Sequence, residues 1–184
     1  MSDMFCNQCE QASKGVGCDI MGVCGKNPEV AALQDLMLYG LKGLAIYADK
    51  AGELKVRDEE IDLFMFEGLF TTVTNVDFDP VQIAAKLRKC YDLKEKAKAL
   101  YETACREKTG SHAAPITDGP AAWVIAENLE GLVKQGREHG VKAQHSDPDI
   151  LSAIEIVVFG LKGMAAYADH AYILGKKEER IFLH

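Results

Sequence analysis

Nothing at the start of this 184-residue chain reads as an export signal. Met1-Ser2-Asp3-Met4-Phe5 has neither a basic n-region nor an apolar h-region, so a cytoplasmic protein is expected and persistent disulfides are not. A basic surplus is also missing. Against 28 acidic residues stand 21 basic ones, and the formal charge of −7 repels phosphate backbones, which argues against nucleic acid as a partner. The acidic surface suits solvation, or docking of a basic redox partner. No apolar run is long and unbroken: Ile150 to Ala168 is interrupted by Glu155 and Lys162, which points to a buried helix and not to a membrane span. The chain has no G-x-G-x-x-G, P-loop or G-x-S-x-G, which leaves nucleotide binding and serine hydrolysis unsupported. The histidines His112, His139, His145, His170 and His184 form no H-E-x-x-H pair and read as loop or surface residues.

What the chain does have is a hydrophobic content of 48%, enough to bury a core without disulfide staples, and four cysteines within its first 24 residues. Cys6, Cys9, Cys18 and Cys24 follow the spacing C-x2-C-x8-C-x5-C and offer one metal centre four thiolates. Zinc and iron–sulfur clusters both accept four-cysteine ligation. Structural zinc sites usually pair two C-x2-4-C knuckles, and only Cys6 and Cys9 form such a pair here. The run from Cys9 to Cys24 matches the start of an RNA-binding CCCH finger, yet Pro28 stands where its histidine would be. Interleaved Gly15, Gly17, Gly22 and Gly25 favour an iron–sulfur site, because they let backbone wrap closely round a bulky cluster and aim N–H groups at its sulfurs. With no open coordination position in view, such a cluster would relay electrons. Cys90 and Cys105, fifteen residues apart on one helix, are about 22 Å from each other and read as buried thiols.

The rest of the sequence predicts an all-α fold. Behind the cysteine loop (1–28) come helices near 29–51, 58–75 and 79–110, forming a first three-helix bundle over 29–110. A connecting region over 111–146 begins with a Gly/Pro-rich loop and continues as a helix over 120–138 with Trp123 as its core anchor. A further helix runs over 148–174 within a segment, 147–184, that starts a second bundle. This last helix repeats an earlier one: Asp35–Ala51, DLMLYGLKGLAIYADKA, returns 120 residues later as Glu155–Ala171, EIVVFGLKGMAAYADHA, with nine of seventeen positions identical. Paired glycines inside both copies, Gly40/Gly43 and Gly160/Gly163, imply close approach of a neighbour on that face. The register continues through Glu59/Glu179, Ile61/Ile181 and Leu63/Leu183 and stops at His184, so the second bundle is expected to be truncated. A longer chain, a homo-oligomer or a second chain would complete it.

Met4 to Gln11 (MFCNQCEQ), Gly15-Val16-Gly17-Cys18, Gly22 to Lys26 (GVCGK) and the duplicated Gly-Leu-Lys-Gly…Tyr-Ala-Asp helices together resemble the N-terminal part of the hybrid-cluster (prismane) proteins, the hydroxylamine reductases. The resemblance covers essentially the whole chain. It implies an N-terminal domain of two three-helix bundles and a [4Fe–4S] cluster on Cys6, Cys9, Cys18 and Cys24, the x8 gap setting the chain apart from a subgroup with a longer one. It further implies two-electron reduction of hydroxylamine to ammonia, or reduction of nitric oxide, at a hybrid iron–sulfur–oxygen cluster. The His, Glu and persulfidated Cys ligands of that cluster lie beyond the matched region, so this chain is expected to carry no catalytic residue and to take electrons from an unidentified donor protein. A stand-alone [4Fe–4S] carrier and a zinc-stabilised structural module remain as alternatives.

Overall fold

A computed structural model describes residues 4–11, 13–73 and 76–177. Among these residues the chain is helical and has no strand; the only β-type pairing is an isolated bridge between Cys6 and Cys18. Five helices follow the cysteine loop: α1 (Pro28–Glu53), α2 (Glu59–Thr71), α3 (Pro80–Thr109), α4 (Leu129–Glu138) and α5 (Pro148–Ile173). The all-α class expected from the sequence is what forms.

Each helix begins where a short polar side chain can take the orphan N–H groups of a first turn. Asn27 accepts from Val30 N at 2.8 Å, Asp58 from the amides of Glu60 and Ile61, Asp79 from Val81, Asn128 from Gly131, and Asp147 from Asp149 and Ile150. Proline stands at the first helical position of α1, α3 and α5, where its missing N–H costs nothing. α3 stops at Gly110, which is left-handed at φ 70°. α2 ends at Thr71, short of the expected 75: the hydroxyls of Thr71 and Thr72 bond the carbonyls of Glu67 and Leu69, and residues 74 and 75 lie outside the described set.

α1 is the central element. Leu33, Leu36, Met37, Leu41, Leu44 and Tyr47 are buried on several of its faces, and α3 lies along it with Ile83, Leu87, Cys90 and Ala97, while Ile61 and Phe64 of α2 and Leu132 of α4 close the remaining sides. At about 25 cal/mol per Å² of apolar area removed from water, this cluster supplies most of the drive to fold. Cys90 is buried as expected, its thiol pushed up to about 12 by desolvation. Cys105 is not: it is half-buried, on the side of its turn away from the buried Ala104. His139 does more than face solvent; it stacks flat on Tyr39 with ring centroids 4.0 Å apart.

The helix expected over 120–138 forms only from Leu129, and Trp123 anchors an extended strap ahead of it. Tertiary hydrogen bonds outcompete the local helix here. Lys94 Nζ, buried on α3, donates to the carbonyls of Ala121 and Trp123 at 3.3 and 2.8 Å. Gln135 accepts from Trp123 Nε1 and Ala126 N and donates to Val124 O at 2.7 Å. The strap's polar groups are thereby satisfied without a helical ladder, and the Trp123 ring is held edge-on to Tyr91 at 5.8 Å.

The strap explains the first glycine pair. A Cβ on Gly40 would stand 2.9 Å from the Trp123 ring, and one on Gly43 would stand 2.3 Å from Pro120 O. The second pair differs: at Gly160 and Gly163 no described atom lies within 4 Å. α5 packs on α2, where Phe70 meets His170 edge-on at 5.2 Å. Among the residues of α5 only Lys162 and Ala165 are buried, and Ile156, Phe159 and Tyr167 are exposed. The buried helix expected over this stretch is therefore largely uncovered among the described residues. It is also long and apolar enough to cross a membrane by length and composition. The register expected beyond it at Glu179, Ile181 and Leu183 lies outside the described residues.

The two copies of one motif should thus respond oppositely to one substitution. Gly43→Ala drives a methyl into strap backbone and is expected to lower stability by about 2 kcal/mol. Gly163→Ala meets nothing and should raise stability by up to about 1 kcal/mol through helix propensity. Urea unfolding of both variants checks this; equal effects at the two positions would show that the strap does not press on α1.

Candidate metal centre

Residues 4–11 and 13–27 lie over the N-terminal end of α1. Cys6 and Cys18 exchange both backbone hydrogen bonds, N to O at 2.9 and 2.8 Å, which draws the first and third cysteines side by side although eleven residues separate them. Between them the chain reverses through a 3₁₀ turn at Ser13–Gly15, whose Ser13 N donates to Cys18 Sγ at 3.4 Å. The second reversal, after Cys18, closes through Gly25 N to Gly22 O at 2.8 Å and Gly22 N to Lys26 O at 2.8 Å, with Gly25 at φ 90° where only glycine sits without strain. A Cβ on Gly22 would lie 3.1 Å from Cys24 Sγ, so the loop's glycines do bring backbone close to sulfur.

Buried in this loop is a small cluster of Met4, Cys18 and Ala31 with Cys6 against it, while Cys9 and Cys24 are half-buried. All four thiols are free. Among the described residues no three Cys, His, Asp or Glu side chains stand together in ligating geometry. The loop pairs Cys6 with Cys18 and leaves Cys9 and Cys24 nearby in sequence. The donor set nevertheless suits a thiolate-ligated centre: four free sulfurs in one short loop, two of them on a mutual backbone bridge and one beside a buried ammonium.

Four residues that the cysteine spacing did not single out lie under this loop. Lys26 is 1% exposed and its Nζ donates to Cys6 Sγ at 3.8 Å. Gln8, between Cys6 and Cys9, donates from Nε2 to Asp35 Oδ1 at 2.9 Å and accepts at Oε1 from Lys162 Nζ. Asp35 is the first residue of the first repeat copy, and Lys162 is the conserved-in-both-copies lysine of the second. A buried hydrogen-bond chain therefore runs from α5 through the cysteine loop into α1.

Burial dominates the charge states here. Asp35 is pushed up from 3.8 to about 7 by desolvation, with Lys162 and Lys26 pulling the other way. Desolvation lowers Lys162 to about 8, helped by the Lys26 charge and opposed by Asp35, Cys6 and Glu155. The Cys6 thiol is raised by burial, against the pull of Lys26. In sequence, a polar signal was present: Asp35 and the lysine of Gly-Leu-Lys-Gly interrupt apolar helical faces, and both copies keep that lysine.

Comparison with known proteins follows the same residues. A family model for the Prismane/CO dehydrogenase family matches residues 4–184. Curated relatives named hydroxylamine reductase in Geobacter sulfurreducens and Geobacter metallireducens are 79% identical over 179 residues, which is 97% of this chain but 32% and 33% of theirs. A hydroxylamine reductase of Syntrophobacter fumaroxidans is 45% identical over 180 residues. The chain thus spans about a third of the length of these relatives.

The raised Asp35 carboxyl has a testable sign. Between about pH 4 and 7 the folded chain keeps a proton that the unfolded chain has released, so stability falls as pH rises through that window. In the cluster-free chain the wild type should lose stability relative to Asp35→Asn at a slope approaching about 1.4 kcal/mol per pH unit. Urea titrations of both at several pH values read the difference, and parallel curves would place the Asp35 carboxyl outside a desolvated site.

Proposed function

The chain belongs to the Prismane/CO dehydrogenase family, and we propose that it forms the iron–sulfur electron-transfer part of a hydroxylamine reductase. The observation that carries this is the cysteine loop: four free thiols at C-x2-C-x8-C-x5-C, two of them drawn together by mutual backbone hydrogen bonds, over a buried lysine. Cys6, Cys9, Cys18 and Cys24 would hold a [4Fe–4S] cluster, which when bound supplies a one-electron relay.

The chain's own residues prepare the place. Met4, Ala31 and Cys18 exclude water from one side of the loop. Ser13 N–H points at Cys18 Sγ, the kind of donor that stabilises a ligating sulfur. Gln8 fixes the turn between the first two cysteines by bonding on both sides, to Asp35 and to Lys162. None of these residues offers a site for the substrate nitrogen, and the hybrid iron–sulfur–oxygen cluster, where hydroxylamine takes two electrons and two protons to give ammonia and water, is assigned to polypeptide outside this chain. Nitric oxide is the competing substrate. An unidentified donor protein delivers electrons to the loop in the cytoplasm, and neither nucleic acid nor membrane takes part.

The apolar face of α5 fits packing better than lipid. Its copy α1 is the core helix, Lys162 lies buried within it, and Gly160 and Gly163 stand open where Gly40 and Gly43 receive a strap. Further polypeptide of the same enzyme, a homo-oligomer or a second chain covers that face.

Anaerobic reconstitution with iron and sulfide tests the reading. The chain should take up about four irons, turn brown with visible absorption that bleaches on reduction, and lose both on Cys9→Ser. It should not reduce hydroxylamine by itself. A colourless protein holding one zinc ion would instead make it a structural module, and a chain that turns over hydroxylamine unaided would move the active site into these residues.

A further inference from the structure

Among the described residues three lysines are buried, Lys26, Lys94 and Lys162, and they are not treated alike. Lys94, 2% exposed, is fully provided for: two strap carbonyls accept from it and Glu95 stands 2.7 Å away. That is how this fold accommodates a buried ammonium. Lys26 is buried more completely and has neither. Among the described residues its Nζ meets only Cys6 Sγ at 3.8 Å and the Phe78 ring, 6.0 Å to the centroid. Lys162 donates to Gln8 and forms no ion pair within 4 Å among the described residues. The buried acid of this neighbourhood is Asp35, bonded to Gln8 and shared electrostatically between both lysines.

Two buried cations thus face one buried carboxyl and the half-buried Glu155, which acts on Lys162 and Asp35, so the positive charge is least compensated at Lys26, beside Cys6. An uncompensated buried charge is among the most expensive features a fold can carry, and folds keep one where an anion binds. The anion called for here is large, soft and adjacent to the Cys6 sulfur. A four-thiolate iron–sulfur centre meets each condition: its thiolates outweigh the positive charge of its core, and reduction adds one more negative charge.

We propose that Lys26 and Lys162 are the built-in counter-charge of the iron–sulfur centre, favouring its reduced state and so raising its reduction potential, with Gln8 carrying Lys162 to the loop. The proposal rests on the reading that the four cysteines hold such a centre. It gives the duplicated motif a second use. Lys42, the equivalent of Lys162 in α1, donates to Gln144 in the segment before α5, whereas Lys162 has been taken under the cysteine loop. Through Lys162 the second repeat contributes to the electronics of a centre whose ligands all precede the first repeat.

Anaerobic potentiometric titration of the reconstituted chain, followed by visible absorption, tests this with Lys26→Met, Lys26→Arg, Lys162→Met and Lys94→Met. Lys26→Met is expected to lower the reduction equilibrium constant at least tenfold, about 59 mV for a one-electron couple. Lys26→Arg keeps the charge and should restore most of the shift. Lys162→Met should move the potential in the same direction by less, and Lys94→Met, which loses a buried lysine away from the loop, should leave it unchanged. A second measurement needs no cluster: Lys26→Met should raise the urea midpoint of the cluster-free chain, since it removes an uncompensated buried charge. A potential unmoved by Lys26→Met, or one moved equally by Lys94→Met, overturns the proposal, as does a cluster-free Lys26→Met chain less stable than wild type. A wild-type chain that binds no iron and sulfide overturns the underlying reading of the cysteines instead.

Discussion

A chain of three buried polar side chains, Lys162 to Gln8 to Asp35, ties α5, the cysteine loop and α1 together. The cysteine loop has few apolar anchors among the described residues: Met4 and Cys18 pack with Ala31 of α1, and Val16, Ile20, Met21 and Val23 at its tips are exposed. α5 rests on α2 and buries almost nothing else. The hydrogen bonds at Gln8 join these segments to α1 alongside their other ties, the Lys142 ammonium over the Phe5 ring and the packing of α5 on α2. Both ends of the relay are ionisable groups in a dry place, so a missing member leaves the others desolvated and unpaired. Such an arrangement specifies one geometry by making the alternatives costly.

The duplication sets up that chain. Asp35 and Glu155 are equivalent positions, as are Lys42 and Lys162, and the acid of each copy acts electrostatically on the lysine of the other. The repeat thus supplies two crossed acid–lysine relationships from one motif. They have diverged in burial. The pair with Lys162 lies beneath the cysteine loop, while Lys42 is only partly desolvated and reaches Gln144. The same divergence separates the glycines: in α1 they make room for the Trp123 strap, and in α5 the corresponding groove is open. Identical residues take different roles because the segments that follow each copy differ.

How much of this was legible in the sequence depends on how local the cause is. The helix starts were legible at Asp58, Asp79 and Asp147, because a cap needs only the next three residues. The cysteine spacing was legible for the same reason, and so was the core face of α1. The strap over 123–128 was not. Its composition suits a helix, and what prevents one is Lys94, about thirty residues upstream, together with Gln135 downstream, each capturing carbonyls that a helix would need. The burial of Lys26 was equally hidden, since a lysine one turn past the last cysteine normally faces water. Only Asp35 and Lys162 left a trace, as charges placed on otherwise apolar helical faces.

That trace bears on how the loop and the helices came to be joined. A soft four-thiolate site can be built on a loop alone, and many are, but a loop alone leaves the surrounding dielectric to solvent. Here the loop lies over a helix pair that carries charge inward, so on its buried side the environment is set by the scaffold. A change in the seating of α5 would alter the field at Cys6 without touching a cysteine, because Lys162 acts on Cys6 and is hydrogen-bonded to the loop at Gln8. The open groove at Gly160 and Gly163 lies on the same helix, close in sequence to Lys162. Whatever packs into that groove therefore acts on the helix that holds the lysine in place, and the covering of α5 and the electrostatics of the cysteine loop are one structural problem.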